Sequence, residues 1–254
     1  MIINFKGKDN LNYTLQVKKG NNKPIDKDIW IINISSAYYC TNKTCNYHRL
    51  NKCICYALLN ELQFNNTIVR AVKDSYSFNY LVKNNMWEFL ANKIINHNEK
   101  AKKHHIKHLR INERGELSNI EQLVFINELA NILYNQIGVS TTIYTHREDL
   151  YKAFKANYKQ SKGLIIIGSE FEGDIKFSAS NTLNPNYNYN CYSNCLECKQ
   201  KHLTPLCYDL KLKNKGITIK EKLRDNNNKK VNTTLKPHII KQLTEINNYY
   251  KGGV

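Results

Sequence analysis

The sequence predicts an α/β fold, a partial (β/α) barrel-like parallel sheet with cysteine-rich loops. Three observations carry this expectation. Short β-branched runs alternate with helix-period segments from about residue 29 to 180, joined by short connections, which builds parallel βαβ units. Hydrophobic residues make up 41% of 254, enough for one buried core. All eight cysteines fall in two groups of four, one after the first buried strand and one late in the chain. Alternation of this kind suits a doubly wound sheet or a complete or partial barrel, and in each the ligands gather at the carboxyl ends of the strands.

Residues 1–28 form a short β-rich lead-in, with KGNNKP at 19–24 as a turn. Ile29 to Ile34 is apolar, β-branched and short, a buried strand that runs straight into the first cysteine group. A helix opens at Tyr56. A longer helical region over 67–100 places Val69, Val72, Tyr76, Tyr80, Trp87, Leu90 and Ile94 near 3–4 spacing. His108–Ile111 is the second strand. Ser118 and Glu121 then match a capping box, ahead of a helix with Leu123, Ile126, Leu129 and Leu133 on one face. Thr141–Thr145 is the third strand, 147–158 a helix, Gly163–Gly168 the fourth strand and Ile175–Ala179 the fifth. After the low-complexity stretch NTLNPNYNYN (181–190), Gly216–Lys220 adds a strand and 235–250 an amphipathic helix. The expected division is a lead-in at 1–28, one α/β metal-binding domain at 29–220 and a basic helical tail at 221–254.

The formal charge is +17, and a field of that sign favours nucleic acid or another polyanion as partner. Lys, Asn, Ile and Tyr are all abundant, as an AT-rich genome would produce, so codon bias accounts for the lysine excess without any partner. No apolar run reaches the ~20 residues that span a bilayer, and MIINFKGKDNLNYT has no apolar signal-peptide core. The expectation is a protein away from membranes, in the cytoplasm, or the host cytoplasm if viral. There, clustered cysteines are metal ligands or redox groups more often than disulfides. P-loop, dinucleotide-fingerprint, zincin and nucleophile-elbow motifs are absent from the sequence.

Polar groups recur beyond the strands: Cys40 after the first, Asn112, Glu113 and Glu116 after the second, Thr145, His146 and Arg147 after the third, Ser169 and Glu170 after the fourth. The first cysteine group is Cys40, Cys45, Cys53 and Cys55. The second, Cys191, Cys195, Cys198 and Cys207, spells C-x3-C-x2-C followed by x8-C. Such spacing lets loops aim several thiolates at one centre, either zinc or an iron–sulfur cluster. Cys53-x-Cys55 is tight for a zinc knuckle, so which of the two is a ligand stays open, as does one site or two.

The strand followed by a cysteine loop closing on Cys55-Tyr56-Ala57 resembles the phage "gene product 88" family. So do Arg110-Ile111 with Gly115-Glu116, Tyr144-Thr145, a strand ending at Ser169, and Cys195/Cys198 ahead of Ile217-Thr218-Ile219. The landmarks keep their order over roughly residues 30–220. That family's layout is similar to radical S-adenosylmethionine enzymes. The resemblance implies an iron–sulfur cluster among Cys40, Cys45, Cys53 and Cys55. It further implies S-adenosylmethionine as cofactor, its amine at Gly115-Glu116, and Thr145, Ser169 and Glu170 along the same rim. The radical-type spacing C-x3-C-x2-C sits at Cys191–Cys198, past the last barrel strand, and is expected to be an auxiliary or structural site. Zinc is the alternative metal, in a non-enzymatic nucleic-acid-binding protein.

Other groups have bland and functional readings side by side. His104, His105 and His108 lie at a strand's amino end and suit a solvated basic turn. His146 suits either an ordinary helix start or an anion and proton site. Glu113, Glu116 and Glu170 suit helix-start carboxylates or acid–base pairs. Tyr187, Tyr189 and Tyr192 suit a tyrosine-rich loop or a base-stacking platform.

Overall fold

Strands β1 (Ile2–Lys6), β2 (Asn12–Lys19), β3 (Ile29–Ile32), β4 (His108–Ile111), β5 (Ser140–Thr145), β6 (Leu164–Ser169), β7 (Ile175–Ser180), β8 (Asn190–Cys191) and β9 (Thr218–Lys222) make one sheet. Its order is β1-β2-β3-β4-β5-β6-β7-β9-β8. The computed structural model describes residues 1–20, 27–40, 58, 61, 64–101, 105–180, 189–191, 198, 202, 204–222 and 235–251. β1, β2 and β3 pair antiparallel, and every pair from β3 onward is parallel. From β3 to β7 neighbours follow chain order, as in a (β/α) barrel. A doubly wound sheet would reverse at a switch point. The fold is the partial barrel-like α/β sheet that the alternation predicts.

Helices α1 (Asn65–Lys83), α2 (Trp87–Lys100), α3 (Ile120–Ile137) and α4 (Glu148–Asn157) cover the outer face. Trp30, Ile32, Leu109, Ile111, Ile143 and Ile166 meet helix residues such as Phe78, Ile94, Leu129 and Phe154 there. The helical region over 67–100 is two helices, because Asn85 takes a left-handed φ of 53° and ends the first. The cap of α3 is shifted by one residue from the expected box. Asn119, not Ser118, accepts the Gln122 N–H at 3.1 Å, while Gln122 Oε1 accepts Ser118 N–H at 2.8 Å. Asn and Gln do the same chemistry as Ser and Glu, so two overlapping boxes compete.

Between β6 and β7 the chain makes a parallel connection in only residues 170–174, with no helix. This requires two main-chain segments in contact. A Cβ on Gly173 would lie 2.6 Å from Gly168 N, and one on Gly168 would lie 2.4 Å from Phe171 O. Without a crossover helix, the outer face of β7 and β9 carries half-exposed Lys176, Ser178, Thr218 and Lys220. That explains why β6 is apolar on both faces whereas β7 alternates.

The inner face is filled by the protein's own chain. Two short 3-10 turns, Leu206–Tyr208 and Leu210–Leu212, lie over Ile29, Ile31, Ile165, Ile167 and Ile175. Thr142 Oγ1 donates to Cys207 O at 2.9 Å, and Ser140 Oγ to Tyr208 O at 3.4 Å. Helix α5 (Pro237–Lys251) packs Ile239, Leu243, Ile246 and Tyr250 against Tyr13, Ile68 and Val72. Tyr249 Oη accepts Asn12 N–H at 2.9 Å, which ties this last helix to the opening hairpin. Among the described residues no helix is long and apolar enough to cross a membrane.

Candidate functional site

The carboxyl ends of β3, β4 and β5 lie side by side, and side chains continue the ladder where the strands stop. Asn33 Oδ1 accepts Glu113 N–H at 2.8 Å, and Asn112 Oδ1 accepts Ile34 N–H at 3.3 Å. These two amides take over from main-chain pairing, which is why β3 ends at Ile32 rather than Ile34. Ser35 Oγ then accepts Glu116 N–H at 2.7 Å and donates to Glu116 O at 2.8 Å. The contact is so close that Gly115, at φ +81°, has no room for a side chain: its Cβ would sit 2.4 Å from Ser35 O.

Glu116 is buried, and its carboxylate is turned inward. Oε1 accepts Thr145 Oγ1–H at 2.6 Å and Leu117 N–H at 2.8 Å; Oε2 accepts His146 N–H at 2.7 Å, with His146 Nδ1 at 3.6 Å. Thr145, buried on the outer face, is therefore an orienting group for Glu116. Gly115, Glu116 and Thr145 are brought together in this way. Ser169 and Glu170 are not part of that network: Glu170, at φ 66°, accepts Ser178 Oγ–H at 2.9 Å and belongs with β7. Arg147 holds Asp149 with both arms, at 2.8 and 2.6 Å, and donates to Leu117 O at 3.2 Å. The Asp149 carboxylate raises the Arg147 guanidinium further, with smaller contributions from Glu116 and Cys40.

A second buried carboxylate closes the base of the first cysteine loop. Glu61, fully buried, accepts Ser36 Oγ–H at 2.6 Å, Ala37 N–H at 2.9 Å and Tyr38 N–H at 3.1 Å. Arg114 Nε lies 3.6 Å from Glu61 Oε1. Cys40 follows directly, its N–H on Ala37 O at 3.3 Å. Asn33, Ser35, Ser36, Glu61 and Arg114 were not among the sequence candidates. One signal was available for Glu61: it is the only acidic residue between Asp28 and Asp74, in a stretch rich in cations.

Burial holds the Glu61 carboxyl above its usual range, against the pull of Ser36, Ala37, Tyr38 and Arg114. Burial does the same to Asp74, against Arg70. A carboxyl raised by folding binds its proton more tightly in the folded chain. Its contribution to stability therefore falls as pH rises from the unfolded value toward the folded one. Urea midpoints of Glu61→Gln relative to the parent should improve as pH rises from about 4.5 toward neutrality. A difference that stays constant with pH would contradict this balance.

Of the first group, Cys45, Cys53 and Cys55 lie outside the described residues, as does Cys195 of the second. Cys191, Cys198 and Cys207 pack into the inner-face cluster with Tyr144, Phe177 and Leu206. Cys198 Sγ accepts Leu206 N–H at 3.4 Å. Burial, followed by the Cys207 and Tyr208 charges, pushes the Tyr144 hydroxyl far up, while Arg110, 4.6 Å over its ring, pulls the other way. Of the remaining candidates, His105 Nδ1 lies 3.0 Å from Asn98 O and His108 Nδ1 lies 2.6 Å from Ser140 Oγ. His104, Tyr187 and Tyr192 lie outside the described residues. Among those residues no three His, Cys, Asp or Glu side chains converge on one point.

The second group supplies thiolates of the kind zinc or an iron–sulfur cluster takes, but Cys191, Cys198 and Cys207 do not converge on one point and Cys195 lies outside the described residues. Thr145 Oγ1–H, Leu117 N–H and His146 N–H fill three of the four acceptor positions of the Glu116 carboxylate, and the His146 ring, at 3.6 Å, makes no hydrogen bond to the fourth. No family model, curated protein or solved structure matches the chain.

Proposed function

We propose that the chain is a metal-binding protein that holds an iron–sulfur cluster through its cysteine loops at the carboxyl rim of the sheet. The observation that carries this reading is the clamp at the foot of the first loop. Glu61 fixes residues 36–38, and Ser35, Gly115 and Glu116 fix the strand ends beside it, so Cys40 leaves from a rigid base. Rigid support of this kind is what a metal site demands of its ligands. Cys45, Cys53 and Cys55 would complete the donor set, and the bound cluster would supply redox or Lewis-acid chemistry at the rim. The charge of +17 supports nucleic acid or a nucleotide as the partner presented to it.

The second group supports a second reading, zinc as a structural staple. Cys191, Cys198 and Cys207 lie against the segment that fills the inner face, where a closed four-thiolate site would hold that segment in place. Anaerobic purification with metal analysis and an absorption spectrum separates the two. A brown protein absorbing near ~400 nm is expected for the cluster. A colourless protein holding only zinc would replace the first reading with the second, and a metal-free protein would end both.

A further inference from the structure

We infer that Tyr13 is a redox-active tyrosine: it gives one electron to a diffusing one-electron oxidant while its phenolic proton passes to Asp9. The inference goes beyond the metal-binding reading and uses none of the cysteines. The opening hairpin, α1 and α5 meet in a cluster of five tyrosines, Tyr13, Tyr76, Tyr80, Tyr249 and Tyr250. A phenol that loses an electron becomes a strong acid, so it is oxidised readily where a positioned base takes the proton in the same step. Tyr13 alone in the cluster donates to a carboxylate, Asp9 Oδ2, at 2.6 Å. Tyr76 donates to the Asn247 amide oxygen at 2.9 Å and Tyr250 to the Asn12 carbonyl at 3.3 Å, and neither oxygen is a base at neutral pH. Tyr80 and Tyr249 accept the main-chain N–H groups of Lys8 and Asn12. Burial, then the Asp9 hydrogen bond, holds the Tyr13 hydroxyl well above its usual value, so the resting group is the phenol.

Asp9 lies half-buried in the turn between β1 and β2, and its other oxygen accepts Leu11 N–H at 3.1 Å, which aims the carboxylate at Tyr13. Gly7 makes room for the pair: a Cβ there would lie 2.8 Å from the Tyr13 ring and 2.8 Å from the Tyr80 ring. Tyr13 itself is 5% exposed, so the oxidant acts through neighbouring rings. Tyr249, 45% exposed, lies 4.9 Å from Tyr250, and Tyr250 lies 5.2 Å from Tyr13, centroid to centroid. Both steps bring rings into contact, where electron exchange is fast. The electron leaves Tyr13 by way of Tyr250 and Tyr249 to the oxidant, the Oη–H bond breaks, and the proton binds Asp9. What remains is a neutral phenoxyl radical, shielded from solvent among Phe5, Tyr80 and Tyr250. The cluster is a sink that draws oxidising equivalents from the surface to one buried oxygen.

Photogenerated ruthenium(III) tris-bipyridine supplies the oxidant, and electron paramagnetic resonance of the freeze-quenched full chain reads the tyrosyl radical. Tyr13→Phe, which keeps the stacked ring, should lose most of the signal, although the chain has 17 tyrosines. Asp9→Asn keeps an acceptor oxygen without the base and should lose as much, and Asp9→Glu should restore it. Tyr249→Phe should slow the appearance of the radical and leave its final amount unchanged. A parent-like signal in Tyr13→Phe would overturn the inference. So would a parent-like signal in Asp9→Asn, which decides the matter with Tyr13 untouched should the phenylalanine chain lose its fold by circular dichroism. A loss in Asp9→Asn that Asp9→Glu does not restore, in chains of equal circular dichroism, would reduce the carboxylate to a packing role and overturn the assignment.

Discussion

Glu61→Ala should cost about 3–5 kcal/mol of folding stability, the range found when one partner of a buried ion pair is removed. The substitution removes the ion-pair partner of the Arg114 guanidinium, which is 7% exposed. It also orphans the Ser36 hydroxyl and the Ala37 N–H, whose acceptor is Glu61, and leaves the Tyr38 N–H only Ser36 Oγ at 3.2 Å. Urea unfolding followed by circular dichroism measures the loss. Glu61→Gln, which keeps an acceptor oxygen, should fall between alanine and the parent. Adding Arg114→Met to Glu61→Ala should recover part of the loss by removing the buried charge. A single-substitution loss under about 1 kcal/mol would show that the pair is solvated and that the foot of the loop is not clamped.

Gly115→Ala should be nearly as damaging, at about 3 kcal/mol, and for a different reason. A left-handed φ of 81° costs an L residue about 1–2 kcal/mol by itself. The new methyl would also sit 2.2 Å from Ser35 Oγ and 2.4 Å from Ser35 O, so the β4 loop must lift away from β3. Lifting breaks both hydrogen bonds between Ser35 and the Glu116 main chain. The companion Gly115→Ala/Ser35→Gly should recover only part of the loss, because the main-chain oxygen stays in place. Thermal and urea unfolding of the pair measures this, and full recovery would mean that only the serine hydroxyl mattered.

The parallel core was legible because its strands are short β-branched runs and its helices carry apolar residues at 3–4 spacing. Both signals are local. What escaped was long-range or shared between neighbours. Ser118 and Asn119 are both good caps, and only the packed loop decides between them. The β6–β7 connection depends on Gly168 meeting Gly173 across a turn, which composition does not reveal. Asn33 and Asn112 count as ordinary polar residues until the register of β3 and β4 places each opposite the other's main chain. Thr145 and Glu116 were singled out for their place at strand ends. Their side chains meet because the alternation of β5 turns Thr145 outward, beneath the rim. Ser140 and Thr142, small polar residues inside a sheet, look unremarkable in sequence. They bond the carbonyls of a segment more than sixty positions away.

That segment has a consequence for anything that docks on this protein. With Leu206, Cys207 and Tyr208 seated over the inner face, the region that would form a barrel's bore holds chain instead of a guest molecule. The chain carries 38 lysines and arginines, and at physiological salt exposed charges more than ~8 Å apart are largely hidden from each other. A polyanion of the kind proposed above would therefore meet this charge outside the sheet, since Leu206, Cys207 and Tyr208 occupy its inner face.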